Sequence, residues 1–469
     1  GLAALAGARG AGLGAVEASA AMRFEGSRIL ALTGIAGVAG EAGFGGSVSM
    51  QRVGQLPTFE GSITVDALDV EGLAAALFGP AALVGAEPGA WPEGPLAVTG
   101  EPRPSRGSIV LDAEALRLGG EAIGGATALA FAWNPQSVGL ERFATEIGGG
   151  RLALDIGQCC AGALDERTLS GRVTVTDVDL EAVLPPALSA ALSGRLGGGL
   201  QFEGTGASLA DAMRAMTGEG NFSVAGFRAA GLSAGVYPSV AGLDDVLDME
   251  ADTLETLIGL ALGQGAFEAE EARGAFTIAG GTARLANLIV EGRGGRLAGS
   301  LDLALARLGL NGSFVMTPLG FADAGGLIEP DTARIVARIA GTLLQPQVTF
   351  DLSEMVAAVQ VRANELEVER LEILRLEDEA RQRAAAEERN RLIEEQRRQA
   401  AEEAARRAAE EAARQAAEDA ARQQQAPDAG TAPSPDQPVS QPLNLGFQPG
   451  VNQPFGNPVN QPLDLLPGR

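Results

Sequence analysis

Short alternations of apolar and polar residues, separated by Gly, Pro and Asp, recur from Gly1 to about Leu352. Clear examples are Phe276-Thr277-Ile278, the stretch from Leu301 to Leu305, and the stretch from Val348 to Leu352. Because successive side chains of a strand point to opposite faces, a period of two indicates strands with one apolar face. A parity change at Arg307 predicts a bulge or turn there. We therefore predict a mainly β fold, an elongated antiparallel groove-like sheet with a few short helices.

An internal repeat supports the strand prediction. The segment from Gly61 to Glu71 matches the segment from Gly171 to Glu181, and both change apolar parity at the same place. Asp69 and Asp179 are placed to cap following helices, which we expect over Glu71 to Leu77 and Glu181 to Leu192. Repetition of a strand-then-helix unit suggests a module stacked along an axis, although two alternating segments also arise by chance.

The charged residues exclude most familiar chemistry. All 35 basic residues are arginines, and the chain has neither lysine nor histidine. It therefore offers no imidazole base, no Schiff-base amine and no phosphate-loop lysine, and its Gly clusters at 148–150 and 197–199 are interpreted as strand-end turns or kinks. The 60 acidic residues give a net charge of −25, which repels nucleic acid and anionic headgroups. We expect no nucleic-acid binding, no enzyme activity and no cofactor.

Asp244, Asp245, Asp248 and Glu250 form the densest acidic cluster outside the C-terminal helix pattern. Four carboxylates suit a hard cation, and a hydrolase using Asp244 and Asp248 is a further functional class. The stretch from Leu243 to Leu262 also has the pattern of an amphipathic helix or lid. Its acids would then form the solvated face, and its apolar side would carry Leu247, Leu254, Leu257 and Ile258. We favour the solvated face and predict no metal site and no catalytic residue.

The chain's two cysteines, Cys159 and Cys160, are neighbours in the sequence. A bridge between neighbours departs from ordinary disulfide geometry, and two Cys without His cannot close a structural zinc site. We expect both to be small buried or half-buried side chains, with redox chemistry or intermolecular pairing as the alternative.

The pattern from Ser353 to Gln425 is helical. Acid-first pairs four residues apart, such as Glu402 with Arg406, support an isolated helix. Residues 400–423 repeat an eight-residue unit, so the Ala stripe winds around the helix and gives no coiled-coil seam. We predict a solitary, monomeric spacer helix on the order of 100 Å long. Only the stretch from Leu366 to Leu376 is apolar enough to dock.

Pro, Gln, Asn and Gly dominate from Ala426 to Arg469, which predicts a disordered tail. A Gln-Pro-apolar step recurs there, as in Gln441-Pro442-Leu443 and Gln453-Pro454-Phe455. The tail is either a low-complexity segment without a role or a multivalent peptide for a partner groove.

No stretch has the roughly 18 apolar residues that a membrane-spanning helix requires, and the best candidate, Leu73 to Val84, is broken by Gly79 and Pro80. The chain starts at Gly1 without an initiator Met or a signal-peptide pattern. We expect that its start has been lost or that it is the C-terminal part of a longer protein.

A more specific pattern lies between Leu192 and Val224. Leu192-Ser193-Gly194 is followed by Leu200 to Gly206, by Ser208 at the start of a short helix, and by Thr217 to Val224. This order resembles the C-terminal domain of the AsmA family. The family's later strand patterns are similar to Gly274 to Gly281, Gly299 to Leu303, and Pro346 to Phe350. The resemblance covers about Ser189 to Leu352.

The resemblance implies an envelope protein of Gram-negative bacteria. Such a protein lies in the periplasm, tethered to the inner membrane by an N-terminal helix that is missing from this sequence. The family is linked to outer-membrane biogenesis, and its larger relatives are similar to bridge-like lipid carriers. The implied partners are phospholipid and, through the C-terminal helix or tail, other envelope proteins. The family's motifs are structural, so no catalytic residue is carried over.

The composition favours a lipid groove independently. Aromatic residues make up 4% of the chain whereas 65 residues are Gly, so an open sheet would leave a trough that its own side chains do not fill. Acyl chains suit this trough, at about 0.8 kcal/mol per buried methylene. In the alternative, walls or helices close the trough, and the protein is a scaffold that modulates outer-membrane protein assembly. The predicted groove residues are Phe276, Ile278, Leu301, Leu303, Leu305 and Phe350.

These patterns divide the chain into four regions. They are β-rich groove repeats at 1–188, the AsmA-like domain at 189–352, the long charged helix at 353–425, and the disordered tail at 426–469.

Overall fold

The computed structural model describes residues 16–423, except residues 27, 40–41, 85–88, 97–102, 161–166 and 244. The predicted mainly β fold is confirmed, because the described chain forms one open sheet of 18 strands. The strands are β1 (Val16–Glu25), β2 (Ile29–Ala39), β3 (Ala42–Val53), β4 (Leu56–Asp69), β5 (Arg106–Leu118), β6 (Glu121–Gly124), β7 (Thr127–Trp133), β8 (Val138–Ile147), β9 (Gly150–Cys159), β10 (Thr168–Asp179), β11 (Leu192–Thr205), β12 (Thr217–Ala230), β13 (Ala266–Ala279), β14 (Thr282–Gly292), β15 (Gly295–Ala304), β16 (Gly309–Pro318), β17 (Ile335–Gly341) and β18 (Pro346–Asp351). The α-helices are α1 (Val70–Phe78), α2 (Pro186–Ser189), α3 (Leu209–Arg214), α4 (Val236–Ala241), α5 (Ala251–Gly263) and α6 (Ser353–Gln423).

The strands follow the sheet almost in sequence order. β1 to β4 are antiparallel neighbours in turn, and so are β7 to β18. β4 pairs with β5 in parallel, and α1 lies in the crossover that this pairing requires. β5 also pairs with β6 and β7. Within the described chain β1 and β18 each pair with one strand, so they are the edges of the sheet.

Aromatic rings lie over glycines of the neighbouring strand. Phe202 of β11 covers Gly171 of β10, where an added Cβ would stand 2.6 Å from Cζ of the ring. The same arrangement pairs Phe44 with Gly37, Trp133 with Gly107, Phe222 with Gly274, and Phe314 with Gly299. Any side chain at these glycines would displace the ring. The many glycines therefore leave room for aromatic rings that lie flat, and they keep the apolar layer thin.

Three groups of residues from helices, turns and connecting segments cover parts of one face of the sheet. The first cover is α1, whose Leu77 is buried against side chains of β5 to β9. The second cover comprises the 3-10 turn Pro80–Leu83, residues 91–96 and α3, packed against β9 to β14. The third cover comprises α4, α5 and the start of α6, packed against β12 to β17. In the described chain, these three clusters include no residue of β1, β2 or β3.

The turn predicted at Arg307 is confirmed. A 3-10 turn, Leu305–Arg307, joins β15 to β16, and Leu308 follows with a φ angle of 52°. A single left-handed residue at this point reverses the chain and explains the change of apolar parity.

The repeat is confirmed in its strands but only partly in its helices. The helix predicted after Asp69 is present as α1, whereas the helix predicted over Glu181 to Leu192 is wrong. A 3-10 turn, Leu180–Ala182, and the short α2 stand there, and β11 starts at Leu192. Pro185-Pro186 separates the two turns, since proline can start a helix but not continue one.

The predicted long helix is confirmed as α6. Of the stretch predicted to dock, Leu366 packs against the third cover but Leu371 is exposed, and the buried residues of the helix, Met355 and Val359, lie before that stretch. Leu352, Met355 and Val359 recur at spacings of three and four, which gives the start of the helix an apolar side. The chain divides into two compact units after Leu376. The predicted tail lies outside the described residues.

Candidate functional site

Two rows of apolar residues cross the strands on the covered face of the sheet, here called the apolar face. In the first row each residue is paired in register with the next, from β1 to β16. Its members are Met22, Leu32, Val48, Gly61, Ile109, Phe131, Leu140, Ile156, Gly171, Phe202, Gly218, Ile278, Ala283, Leu303 and Leu310. Every member is apolar or glycine, so the row is an unbroken apolar line across 15 paired positions.

The second row runs beside the first from β8 to β18. Its members are Phe143, Leu154, Val173, Leu200, Gly220, Phe276, Leu285, Leu301, Gly312, Ile339 and Val348. On most strands it lies two residues from the first row, which keeps both rows on the same face. Together the rows make the apolar face continuous between neighbouring strands.

The β1 end of the apolar face is uncovered. Phe24 is 67% exposed and Met22 is 61% exposed, although both belong to this face. Farther along, Leu200 and Phe276 are half-buried at the second cover, and Leu301 is half-buried at the third. An apolar ligand would therefore meet open surface at β1 and partly accessible surface at these three side chains, whereas Val48 of β3 is buried.

Four predicted groove residues belong to the rows. Phe276 and Ile278 lie on β13, and Leu301 and Leu303 lie on β15. The register joins Phe276 to Leu301 through Leu285, so the structure brings them together on one face. Ile278 is only 5% exposed because the second cover packs on it.

The other two predicted groove residues, Leu305 and Phe350, belong to neither row. Leu305 stands in the turn after β15, and its carbonyl oxygen accepts a hydrogen bond of 2.7 Å from Nε1 of Trp91 in the second cover. Phe350 lies on the edge strand β18, opposite Ala337, and is 40% exposed. Leu305 is therefore part of the turn that contacts the second cover, whereas Phe350 marks the far edge of the apolar face.

The opposite face, here called the polar face, contains open hollows. Hollows of about 790 Å³ and about 510 Å³ share the lining residues Arg172, Gln201 and Glu219. Arg284 lies on the same face and donates from Nε to Oδ1 of Asp302 at 3.0 Å, a hydrogen bond that raises the pKa of Arg284. Arg284 and Asp302 on this face bind each other, and burying such charged groups under acyl chains costs free energy, so this face suits acyl chains less well than the apolar face.

Arg195 ties together the ends of several strands. It donates from Nε to Oδ1 of Asp177 at 2.9 Å and from Nη1 to the carbonyl oxygen of Gly148 at 3.3 Å. This hydrogen bond from Arg195 lowers the pKa of Asp177. Asp177 has a φ angle of 53°, so the pair holds a left-handed bulge in β10. Its role is structural, since neither residue lies in the apolar rows.

The acidic cluster does not form a metal centre within the described residues, where no group of three or more Cys, Asp or Glu side chains converges. Asp244 lies outside the described residues. The helix expected in this stretch is present as α5, with Leu254 and Ile258 buried. Leu247, predicted on its apolar side, is instead exposed because it belongs to a separate 3-10 turn, Val246–Asp248.

The expectation of two unlinked cysteines is wrong. Cys159 and Cys160 form a disulfide, and a cis peptide bond joins the two residues. The expectation rested on ordinary disulfide geometry, from which a bridge between neighbouring residues departs. Cys159 is half-buried at the end of β9 and Cys160 is exposed, and the carbonyl oxygen of Cys160 accepts a hydrogen bond of 2.6 Å from Nη1 of Arg167.

The sequence prediction missed the uncovered residues at the start of the apolar face. Met22, Phe24, Leu30 and Leu32 alternate with smaller residues, a period-two signal that was available in the sequence. The exposure of Met22 and Phe24 was not available, because it depends on where the three covers pack, and Leu30 and Leu32 are half-buried. Among the described helices, none combines the length and the apolarity of a membrane span.

Comparisons of the chain with protein-family models, with curated proteins and with solved structures find no match. The AsmA resemblance therefore depends on the sequence motifs alone.

Proposed function

We propose that this chain is part of an envelope-biogenesis protein of Gram-negative bacteria, located in the periplasm and tethered to the inner membrane. In this proposal it supports outer-membrane assembly by binding phospholipid acyl chains along the apolar face. The observation that carries the proposal is the first apolar row, which crosses from β1 to β16 without a polar residue. Acyl chains are long, flexible and apolar, so they match a long, thin apolar line better than a compact ligand does.

The energetics support acyl chains over headgroups as the recognised part. Each methylene that leaves water contributes about 0.8 kcal/mol. The net charge of −25 opposes anionic headgroups, and arginine supplies every basic side chain. Lipid capture then depends on apolar area and is only weakly sensitive to salt.

Substitutions on the two faces test this proposal. Phe24→Asp and Leu303→Asp place a carboxylate in the apolar face, whereas Ala21→Asp and Thr277→Asp place the same group on the polar face of β1 and β13. We expect mass spectrometry to find phospholipid with the purified parent chain and the polar-face variants, and several times less with the apolar-face variants. Phe24 is exposed, so its substitution removes no buried packing.

Equal lipid recovery from all four variants, each folded by circular dichroism, would contradict the proposal and favour the second candidate function. That candidate is a periplasmic scaffold that modulates outer-membrane protein assembly through its helix and tail. One observation favours it, since the three covers close much of the apolar face between β5 and β17.

A further inference from the structure

One segment of the second cover, here called the strap, lies over the apolar rows. The strap is the 3-10 turn Pro80–Leu83 together with residues 91–96, and both parts belong to the connection between β4 and β5. Ala82 and Leu96 of the strap are fully buried. Their hydrophobic cluster includes members of both rows, namely Ile156, Leu200, Phe202, Phe276, Ile278 and Ala283. The strap therefore fills the space above the rows with its own apolar side chains.

The rows continue on both sides of the strap. The first row starts at β1 and reaches Leu310 of β16, and the second row reaches Val348 of β18. An acyl chain that followed either row would meet the second cover between β9 and β14, where the row members belong to its cluster. The strap and an acyl chain cannot fill the same space, so a bound lipid either stops at the strap or displaces it.

Hydrogen bonds attach the strap to connecting segments. The backbone N–H of Leu96 donates to the carbonyl oxygen of Ala207 at 2.8 Å, just before α3, and the carbonyl oxygen of Pro92 accepts a hydrogen bond of 3.2 Å from α3. Nε1 of Trp91 donates to the carbonyl oxygen of Leu305 in the turn after β15, at 2.7 Å. These bonds join the strap to α3 and to one turn, while apolar side chains join it to the strands.

The two parts of the strap form one piece, because an added Cβ at Gly94 would collide with the carbonyl oxygen of Ala81. The helix α3, in contrast, is joined to the sheet through its backbone. The N–H of Gly281, in the turn between β13 and β14, donates to the carbonyl oxygen of Met216 at 2.9 Å. The helix also lies in the short connection between the paired strands β11 and β12. The strap is therefore the part of the second cover that can leave the sheet without unpairing strands.

We propose that the strap is a displaceable lid, which phospholipid acyl chains move off the apolar face as they enter between β9 and β14. This inference rests on the proposed function and adds to it the regulation of the same site. The structure shows the closed form, in which Leu169 and Ile278 of the second cover's cluster are 2% and 5% exposed. Acyl chains occupy this region in the open form alone, so their binding shifts the population toward that form.

The fluorescence of Trp91 reports on the position of the strap. The chain has two tryptophans, so Trp133→Phe leaves Trp91 as its one indole. Vesicles of phosphatidylcholine are added to this variant, and retained lipid is measured by mass spectrometry. We expect the emission maximum to move to longer wavelength, because displacement transfers the half-buried indole of Trp91 to water. An unchanged maximum in protein that has retained lipid would contradict the proposal.

A disulfide lock tests the same movement without the indole. Pro95 and Ser208 form an isolated antiparallel bridge, and the Cβ atoms of directly opposite residues lie roughly 4.5–5.5 Å apart. We expect Pro95→Cys/Ser208→Cys to form a disulfide under mild oxidation and to hold the strap at the start of α3. The two native cysteines are already bonded to each other. The single variants Pro95→Cys and Ser208→Cys are the matched controls, since each carries one of the substitutions without the lock.

Photo-crosslinking reads out the lock, with a phosphatidylcholine that carries a photoactivatable acyl chain. We expect adducts at Leu169 or Ile278 in the parent chain and in both single variants, and several times fewer in the oxidised double variant. Phe24 lies on β1, outside the second cover, and is 67% exposed. Its adducts should be equal in all four proteins, which shows that lipid binding itself is intact.

Two results would overturn the lid while leaving the proposed function in place. Adducts at Leu169 and Ile278 that are equal in the locked and single variants would show that lipid reaches these residues with the strap closed. Labelling of Phe24 without adducts at Leu169 or Ile278 in any variant would show that lipid does not open the strap. A lack of adducts at Phe24 as well would contradict the proposed function, and the lid with it.

Discussion

At the residue scale, the glycines beneath aromatic rings set the thickness of the apolar layer. Gly171→Ala would place a Cβ 2.6 Å from Cζ of Phe202, and we expect a loss of about 1–3 kcal/mol in the free energy of unfolding. Gly157→Ala, on the adjacent strand β9, is the control, because the nearest atom to its Cβ would be 3.7 Å away. Urea unfolding followed by circular dichroism measures both. Equal stability of the two variants would show that the ring has room to move.

Asp177 gives a prediction about pH at the same scale. The hydrogen bond from Arg195 lowers its pKa in the folded chain, so the pair stabilises the fold above the ordinary aspartate pKa. That contribution is lost as the pH falls through the lowered pKa of the folded state. Asp177→Asn keeps a residue type that tolerates positive φ but removes the charge. We expect its free energy of unfolding to fall less steeply with acid than that of the parent chain, and an identical slope would contradict this.

At the element scale, only the start of α6 packs against the sheet, as part of the third cover. The rest of the helix belongs to none of the three hydrophobic clusters. Met355→Ala removes a fully buried side chain from the third cover, and we expect a loss of about 2–5 kcal/mol. Val368 lies on the same helix and is 62% exposed. We therefore expect Val368→Ala to change the free energy of unfolding by no more than about 0.5 kcal/mol. Urea unfolding measures the difference. A large loss for Val368→Ala would mean that the exposed part of α6 is also packed in solution.

The same elements indicate what the sequence allows one to predict. Alternation around Phe276 and Leu301 predicted strands and their shared face, because the period of two is a local property. The second helix of the repeat was wrong because Pro185-Pro186 and the start of β11 outweigh the helical pattern. The parallel pairing of β4 with β5 and the burial of Ile278 beneath the second cover depend on long-range packing, which no local pattern records.

At the scale of the whole molecule, one open sheet presents two faces of unlike chemistry. The apolar face carries two continuous rows, and it is exposed at β1 and half-buried or buried on the strands that follow. The polar face carries Arg172, Gln201 and Glu219, and these three polar side chains line both of its hollows. If acyl chains bind this molecule, they bind the first face and not the second.

Photo-crosslinking tests that claim most directly. A phospholipid with a photoactivatable acyl chain is incubated with the purified chain, irradiated, and the adducts are mapped by peptide mass spectrometry. We expect adducts on the apolar face, at Phe24, Phe276 and Leu303 and at their neighbours on that face. Adducts confined to the polar face, around Thr277 and Arg284, or no adducts at all, would contradict it.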